Sequence, residues 1–132
     1  MILGVGIDVV EVARMENILN RRWAYRFIFR VFSQEEIAAS KNSAQPAQAY
    51  AARFAAKEAF VKALGTGFSG GISPSRIQVR GGDRNRPWIE LTDEALKTAE
   101  SMNVGTIHVS MSHTPLTACA VVILEKSFTK TR

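Results

Sequence analysis

A single cysteine, Cys119, is all the thiol that these 132 residues carry. That leaves no internal disulfide and no thiolate cluster for zinc. Long hydrophobic runs are also missing, since none approaches the roughly 18 apolar residues that span a bilayer. The first residues, MILGVGIDVV, are apolar but have no basic n-region. They meet Asp8 and Glu11 too soon for a signal peptide. A cytoplasmic chain is expected. The glycine-rich stretch GTGFSGGISPS lacks the lysine of a Walker A loop, and no G-x-S-x-G elbow occurs anywhere. No internal repeat or linker is visible. Acid is the scarcer charge, with 12 Asp and Glu against 17 Lys and Arg and a net charge of +5. A basic excess favours encounter with polyanions, whether nucleic acid, a phosphorylated cofactor or an acidic protein. What remains is 46% hydrophobic and 22% charged, an ordinary composition for one globular domain.

The densest concentration of chemistry is Arg53 to Gly67, RFAAKEAFVKALGTG. It reads as the last four turns of a helix that Pro46 opens and Gly65 closes with a left-handed cap. Phe54, Glu58 and Lys62 recur every fourth residue and share one face, with Arg53 on its flank. Taken alone, Glu58 and Lys62 are equally an ordinary surface pair. Residues 2 to 10 read as a buried strand. Leu3, Val5, Ile7 and Val9 occupy one face and Gly4, Gly6 and Asp8 the other. Two glycines invite close approach, and the alanine stripe Ala51, Ala55 and Ala59 suits that role. Such packing carries Asp8 towards Glu58. An aspartate merely ending a strand in a turn is the plainer alternative.

Glu11 to Leu19 form a short helix with Val12, Met15 and Leu19 inward and Arg14 on another side. In RRWAYRFIFRVF, Arg22, Arg26 and Arg30 are spaced i,i+4, with Trp23 and Phe27 on a neighbouring face. The segment reads as an amphipathic helix with buried aromatics and wet arginines, the alternative being a small nucleic-acid-binding module. Ser33 and Glu36 make a capping box. A hairpin over 76–80 and 87–91 turns around Gly81, Gly82, Asp83 and Arg86. Thr92 caps a helix reaching about Met102. Strand 106–112 places Ile107, Val109 and Met111 inward, and the fully apolar strand Ala118 to Leu124 is expected to be central. Ser112 and His113, adjacent on a strand end, point apart and are no hydrolase triad. His113 and Thr114 either hold a phosphate at the strand end or simply close the turn.

Three pieces then stand in order: Gly6-Ile7-Asp8-Val9-Val10-Glu11, Phe54-Ala55-Ala56-Lys57-Glu58-Ala59 with Lys62-Ala63-Leu64-Gly65-Thr66-Gly67, and Ser110-Met111-Ser112-His113. As an ordered set they resemble the 4′-phosphopantetheinyl transferases, specifically the short holo-[acyl-carrier-protein] synthases, over roughly residues 2 to 125. The resemblance implies an α+β protomer, mainly antiparallel sheet with a long helix packed on it. It implies one domain, 1–126, with a frayed tail, 127–132, and assembly as a homotrimer with sites at subunit boundaries. It also implies transfer of phosphopantetheine from coenzyme A to a serine of an acyl carrier protein, in support of fatty acid biosynthesis, without nucleic acid or membrane.

By motif, Asp8 and Glu58 hold Mg²⁺ and Lys62 faces the pyrophosphate. Arg53, His113 and Thr114 gather the 3′-phosphate. Phe54 and the Gly65–Gly67 turn line the nucleotide pocket. Arg14, Met15, Arg22 and Arg26 dock the carrier. Asp8 and Glu58 of one site come from one chain or from two neighbours. The general base is open between Glu58 and a metal-bound water. Departures from the pattern lie at Phe68–Pro74, Ser75–Val79 and Asn85-Arg86-Pro87, all away from the metal ligands.

Overall fold

Two glycines in the first strand decide how the chain is assembled. The computed structural model describes residues 1–82 and 85–128. Strand β1 (Ile2–Glu11) lies directly on helix α4 (Pro46–Leu64). A Cβ at Gly6 would collide with the Ala59 carbonyl oxygen, and one at Gly4 with that of Ala63. Glycine here admits a helix backbone where any side chain would hold it off. Ala51, Ala52, Ala55, Ala56, Ala59 and Phe60 are all buried, so α4 is enclosed nearly all round. The helix ends as expected: Gly65 sits at φ 81°, and the N–H groups of Gly65, Thr66 and Gly67 all donate to the Val61 carbonyl.

Strand β5 (Thr117–Lys126) is central, between β1 and β4 (Val104–His113), and both pairings are antiparallel. Its Ala118, Ala120, Val122 and Leu124 face α4 and are buried. The hairpin β2 (Ile77–Arg80) and β3 (Trp88–Leu91) forms a second sheet after a 3₁₀ turn, Pro74–Arg76. Asp83, expected in its turn, lies outside the described residues. Helices α1 (Val12–Leu19), α2 (Ala24–Val31), α3 (Gln34–Lys41) and α5 (Asp93–Ser101) complete the order. The Ser33–Glu36 capping box is present in both directions, so α3 starts where its sequence says.

Two expectations are corrected. Strand β1 is not buried on its apolar face. Val5 is 58% exposed and Ile7 and Val9 are 61% exposed, because the glycine face is the one that admits α4. On the same outer side of β5, Cys119, Val121 and Ile123 are only half-buried. In the arginine-rich segment Phe27 and Phe32 pack inward, but Trp23, Tyr25 and Phe29 stay exposed. Lys126 N–H donates to the Met1 carbonyl and Ser127 bonds both backbone and side chain of Asn103. Residues 129–132 lie outside the described residues.

Candidate functional site

The close β1–α4 crossing brings four charged side chains together. Lys62 Nζ donates to Asp8 Oδ1 at 3.0 Å and to the Ile7 carbonyl at 3.1 Å. Glu58, one turn earlier on α4, lies half-buried beside them. Burial pushes its carboxyl above the ordinary carboxylate value. The charge of Asp8 pushes the same way, while Lys62 and Arg14 of α1 pull it back. Asp8 and Glu58 of one chain are therefore neighbours, and no second chain is needed to pair them. Two carboxylates close enough for the charge of Asp8 to oppose ionisation of Glu58 are suited to a shared cation. Among the described residues no group of three or more His, Cys, Asp or Glu could hold a metal unaided. This donor set suits a hard divalent ion that takes its remaining oxygens from phosphates and water.

Further along α4, Arg53 is 6% exposed. Its Nη1 donates to the Ala49 carbonyl at 3.3 Å, and its Nε has no protein partner. Arg53 lines two cavities, both bordered by residues of the hairpin. The first, about 230 Å³, is shared with Gln48, Gly82, Pro87, Ser110 and His113. The second, about 440 Å³, is shared with Glu35, Arg80 and Asn85. A nearly buried guanidinium that lines two cavities and keeps one donor unpaired fits an anionic ligand.

Not every expected residue joins these groups. Thr114 is occupied by the β4–β5 turn, where its hydroxyl accepts from the N–H of Leu116 and of Thr117. Gly65 and Gly67 adopt positive φ at the end of α4, near Lys62, away from both Arg53 cavities. Phe54 lines neither Arg53 cavity. Its ring meets that of Phe27 at 6.0 Å. With Val10, Arg14, Met15 and Ile18 these rings line a narrow apolar slot. Met15 is 1% exposed and packs in the core at the base of this slot. Arg14, Arg22 and Arg26 are exposed.

Sequence reasoning passed over Lys57 and Glu36 as functional neighbours of the site. Both are fully buried. Lys57 Nζ donates to Glu36 Oε1 at 2.8 Å, to the Pro74 carbonyl at 2.9 Å and to the Ile77 carbonyl at 2.6 Å. Glu36 Oε2 accepts from Val79 N–H at 2.8 Å. Glu58 is the next residue on α4, so this network fixes the turn that presents it. A lysine embedded among alanines, FAAKEAF, was the available signal.

The profile of the 4′-phosphopantetheinyl transferase superfamily matches residues 4–119. This chain belongs to that family. A holo-[acyl-carrier-protein] synthase of Syntrophus aciditrophicus is 46% identical over 125 residues, covering 95% of this chain and 97% of the relative. The crystal structure of the Neisseria meningitidis synthase superimposes with a TM-score of 0.85 at 33% identity, covering 96% of this chain and all of the other. That of the Helicobacter pylori synthase in complex with coenzyme A gives 0.79 at 31% identity, covering 92% and 99%. The transferase is an enzyme of the same type as these synthases, and its α+β fold with antiparallel sheets is theirs. No helix among the described residues is long and apolar enough to cross a membrane.

Proposed function

We propose that this transferase moves the 4′-phosphopantetheine group of coenzyme A onto a serine of an apo acyl carrier protein, with Mg²⁺, in the cytoplasm and in support of fatty acid biosynthesis. The observation that carries the reading is the convergence of Asp8, Glu58, Lys62 and Arg14 at the β1–α4 crossing. The serine oxygen attacks the pantetheine-side phosphorus of the pyrophosphate. One phosphorus–oxygen bond forms, the bridging bond breaks, the serine hydroxyl gives its proton to Glu58 or to water, and adenosine 3′,5′-bisphosphate departs with the electron pair.

Asp8 and Glu58 would hold the divalent ion, which when bound supplies charge neutralisation at the pyrophosphate. Lys62, already beside Asp8, reaches the same phosphates. Arg53 and His113 hold the nucleotide end, where the spare Nε of Arg53 suits a phosphate oxygen. Arg14, Arg22 and Arg26 receive an acidic carrier helix, and the slot beside Arg14 receives apolar contact. The exposed apolar face of β1 and β5 is covered by further copies of the chain, three in all.

Incubation with apo carrier, coenzyme A and Mg²⁺ should add one phosphopantetheine mass to the carrier. Asp8→Ala and Glu58→Ala should each lower the rate at least about 100-fold, the scale of removing transition-state charge stabilisation, with the fold retained. Near-normal turnover in either variant refutes the metal assignment, and no mass gain with any apo carrier refutes the reaction.

A further inference from the structure

The outward face of α2 is built unlike the rest of the surface. Tyr25 is 57% exposed and Phe29 is 64% exposed. They stand at i,i+4, and their rings meet edge to face, with centroids 6.5 Å apart and an angle of 70° between planes. Scattered single apolar side chains on a surface are ordinary. A fixed pair of aromatic rings among arginines is not, and Tyr with Arg is the composition of binding hot spots. Arg26 is three residues before Phe29, next to it around the helix. Arg30 is exposed in the last turn of the same helix, and Arg22 is exposed in the turn that precedes it. From Asn17 to Gln34 there is no acidic residue. Among the described residues, no carboxylate comes within 4.0 Å of Arg22, Arg26 or Arg30.

The inner side of the same helix fixes where this surface lies. Phe27 packs on Phe54, which is one turn before Glu58 on α4. Phe27 and Arg14 line one slot, and Arg14 also acts on Glu58. A macromolecule whose serine reaches the Asp8–Glu58 pair therefore passes α2. We infer that Tyr25 and Phe29 form an apolar clamp for an aliphatic side chain of the carrier protein, set between acidic residues that pair with Arg22 and Arg26. This rests on the transfer reading above. The two kinds of residue divide the work. The arginines set encounter rate and its salt dependence, and the rings supply affinity that salt does not screen.

The test is steady-state transfer by the full chain carrying Tyr25→Ala and Phe29→Ala together. Both side chains are exposed, so the thermal midpoint should stay that of the unaltered protein. The expected result is a KM for carrier raised about tenfold, the loss of a moderate hot spot. The kcat and the KM for coenzyme A should not change, and the salt dependence of the carrier KM should be retained. Arg22→Ala with Arg26→Ala should instead flatten that salt dependence. An unchanged carrier KM in the aromatic variant overturns the clamp. So does a loss of oligomeric mass, which would make the rings a contact between copies. Loss of binding to a single-stranded RNA oligonucleotide with carrier KM unmoved also overturns it, in favour of nucleic acid. If the unaltered protein transfers nothing to any carrier, the transfer reading has failed and the clamp falls with it.

Discussion

Lys57 Nζ and Glu36 Oε1 lie 2.8 Å apart, and neither side chain reaches solvent. Each proton of the ammonium has an acceptor, and Glu36 also takes the N–H groups of Ser33 and Val79. Desolvation lowers the pKa of the lysine, and Glu36 works against that shift. Removing one partner of such a pair leaves an uncompensated buried charge, which typically costs about 3–5 kcal/mol. Lys57→Met should therefore lower unfolding free energy by about that much in urea titration. Adding Glu36→Gln should recover part of the loss, because the amide is neutral and its oxygen still accepts. A double variant less stable than Lys57→Met would show that the charge is not the issue.

Gly6→Ala tests the crossing that creates the site. The new methyl meets the Ala59 carbonyl oxygen and the Ala63 nitrogen, both helix backbone and unable to rotate away. Overpacking usually costs about 1–3 kcal/mol, and a backbone obstacle should put this variant at or beyond the upper end. Weak or absent coenzyme A binding should accompany the loss, since Asp8 moves with its strand. A denaturation midpoint close to that of the unaltered protein would mean that β1 and α4 separate readily.

Glu58 gives a pH dependence with a definite sign. Its carboxyl titrates above the ordinary 4.5 in the folded chain, because of burial first and Asp8 second. The folded state thus holds the proton more tightly than the unfolded one. Its contribution is fully present below the unfolded pKa and is lost as pH rises through the folded one. Glu58→Gln abolishes this loss. Without metal, the variant should melt above the unaltered protein at neutral pH, and the gap should narrow as pH falls towards 4.5. Scanning calorimetry at fixed protein concentration reads the difference. A gap that widens on acidification would contradict the burial of this carboxylate.

Much of this was legible because it is local. The capping box at Ser33, the αL glycine at Gly65 and the apolar run of β5 each state a backbone preference within a few residues. The Asp8–Glu58 pairing was legible for a less local reason: Gly4 and Gly6 have no use on a strand unless something comes close. What failed were judgements of which surfaces are covered. In β1 the helix took the glycine side as expected, but alternation does not say whether the other face is covered, and Val5, Ile7 and Val9 are exposed in the single chain. Met15 and Phe54 were assigned to ligand or partner by motif. Met15 sits where the periodicity of α1 put it, inward, while the half-buried contact of Phe54 with Phe27 follows from where α2 folds back, which no short-range pattern contains. Lys57 reads as a surface lysine until Glu36 and two backbone carbonyls surround it.

The outward side of β1 makes the last prediction. Val5 lies opposite Ile123 and Ile7 opposite Val121, so four apolar side chains form a continuous strip that nothing among the described residues covers fully. Burying a Val or Ile is worth about 1.5–3 kcal/mol, a strong incentive for copies to associate through this face. Val5→Asp adds a charge there while leaving the inward glycines and α4 untouched. The substituted protein should stay folded by circular dichroism, and its mass by light scattering should fall from three chains to one, 14.5 kDa. Coenzyme A affinity should fall with it if neighbouring chains complete each site. Retained affinity in the monomer would place the whole site within one chain. A substituted protein that remains oligomeric would move the interface elsewhere.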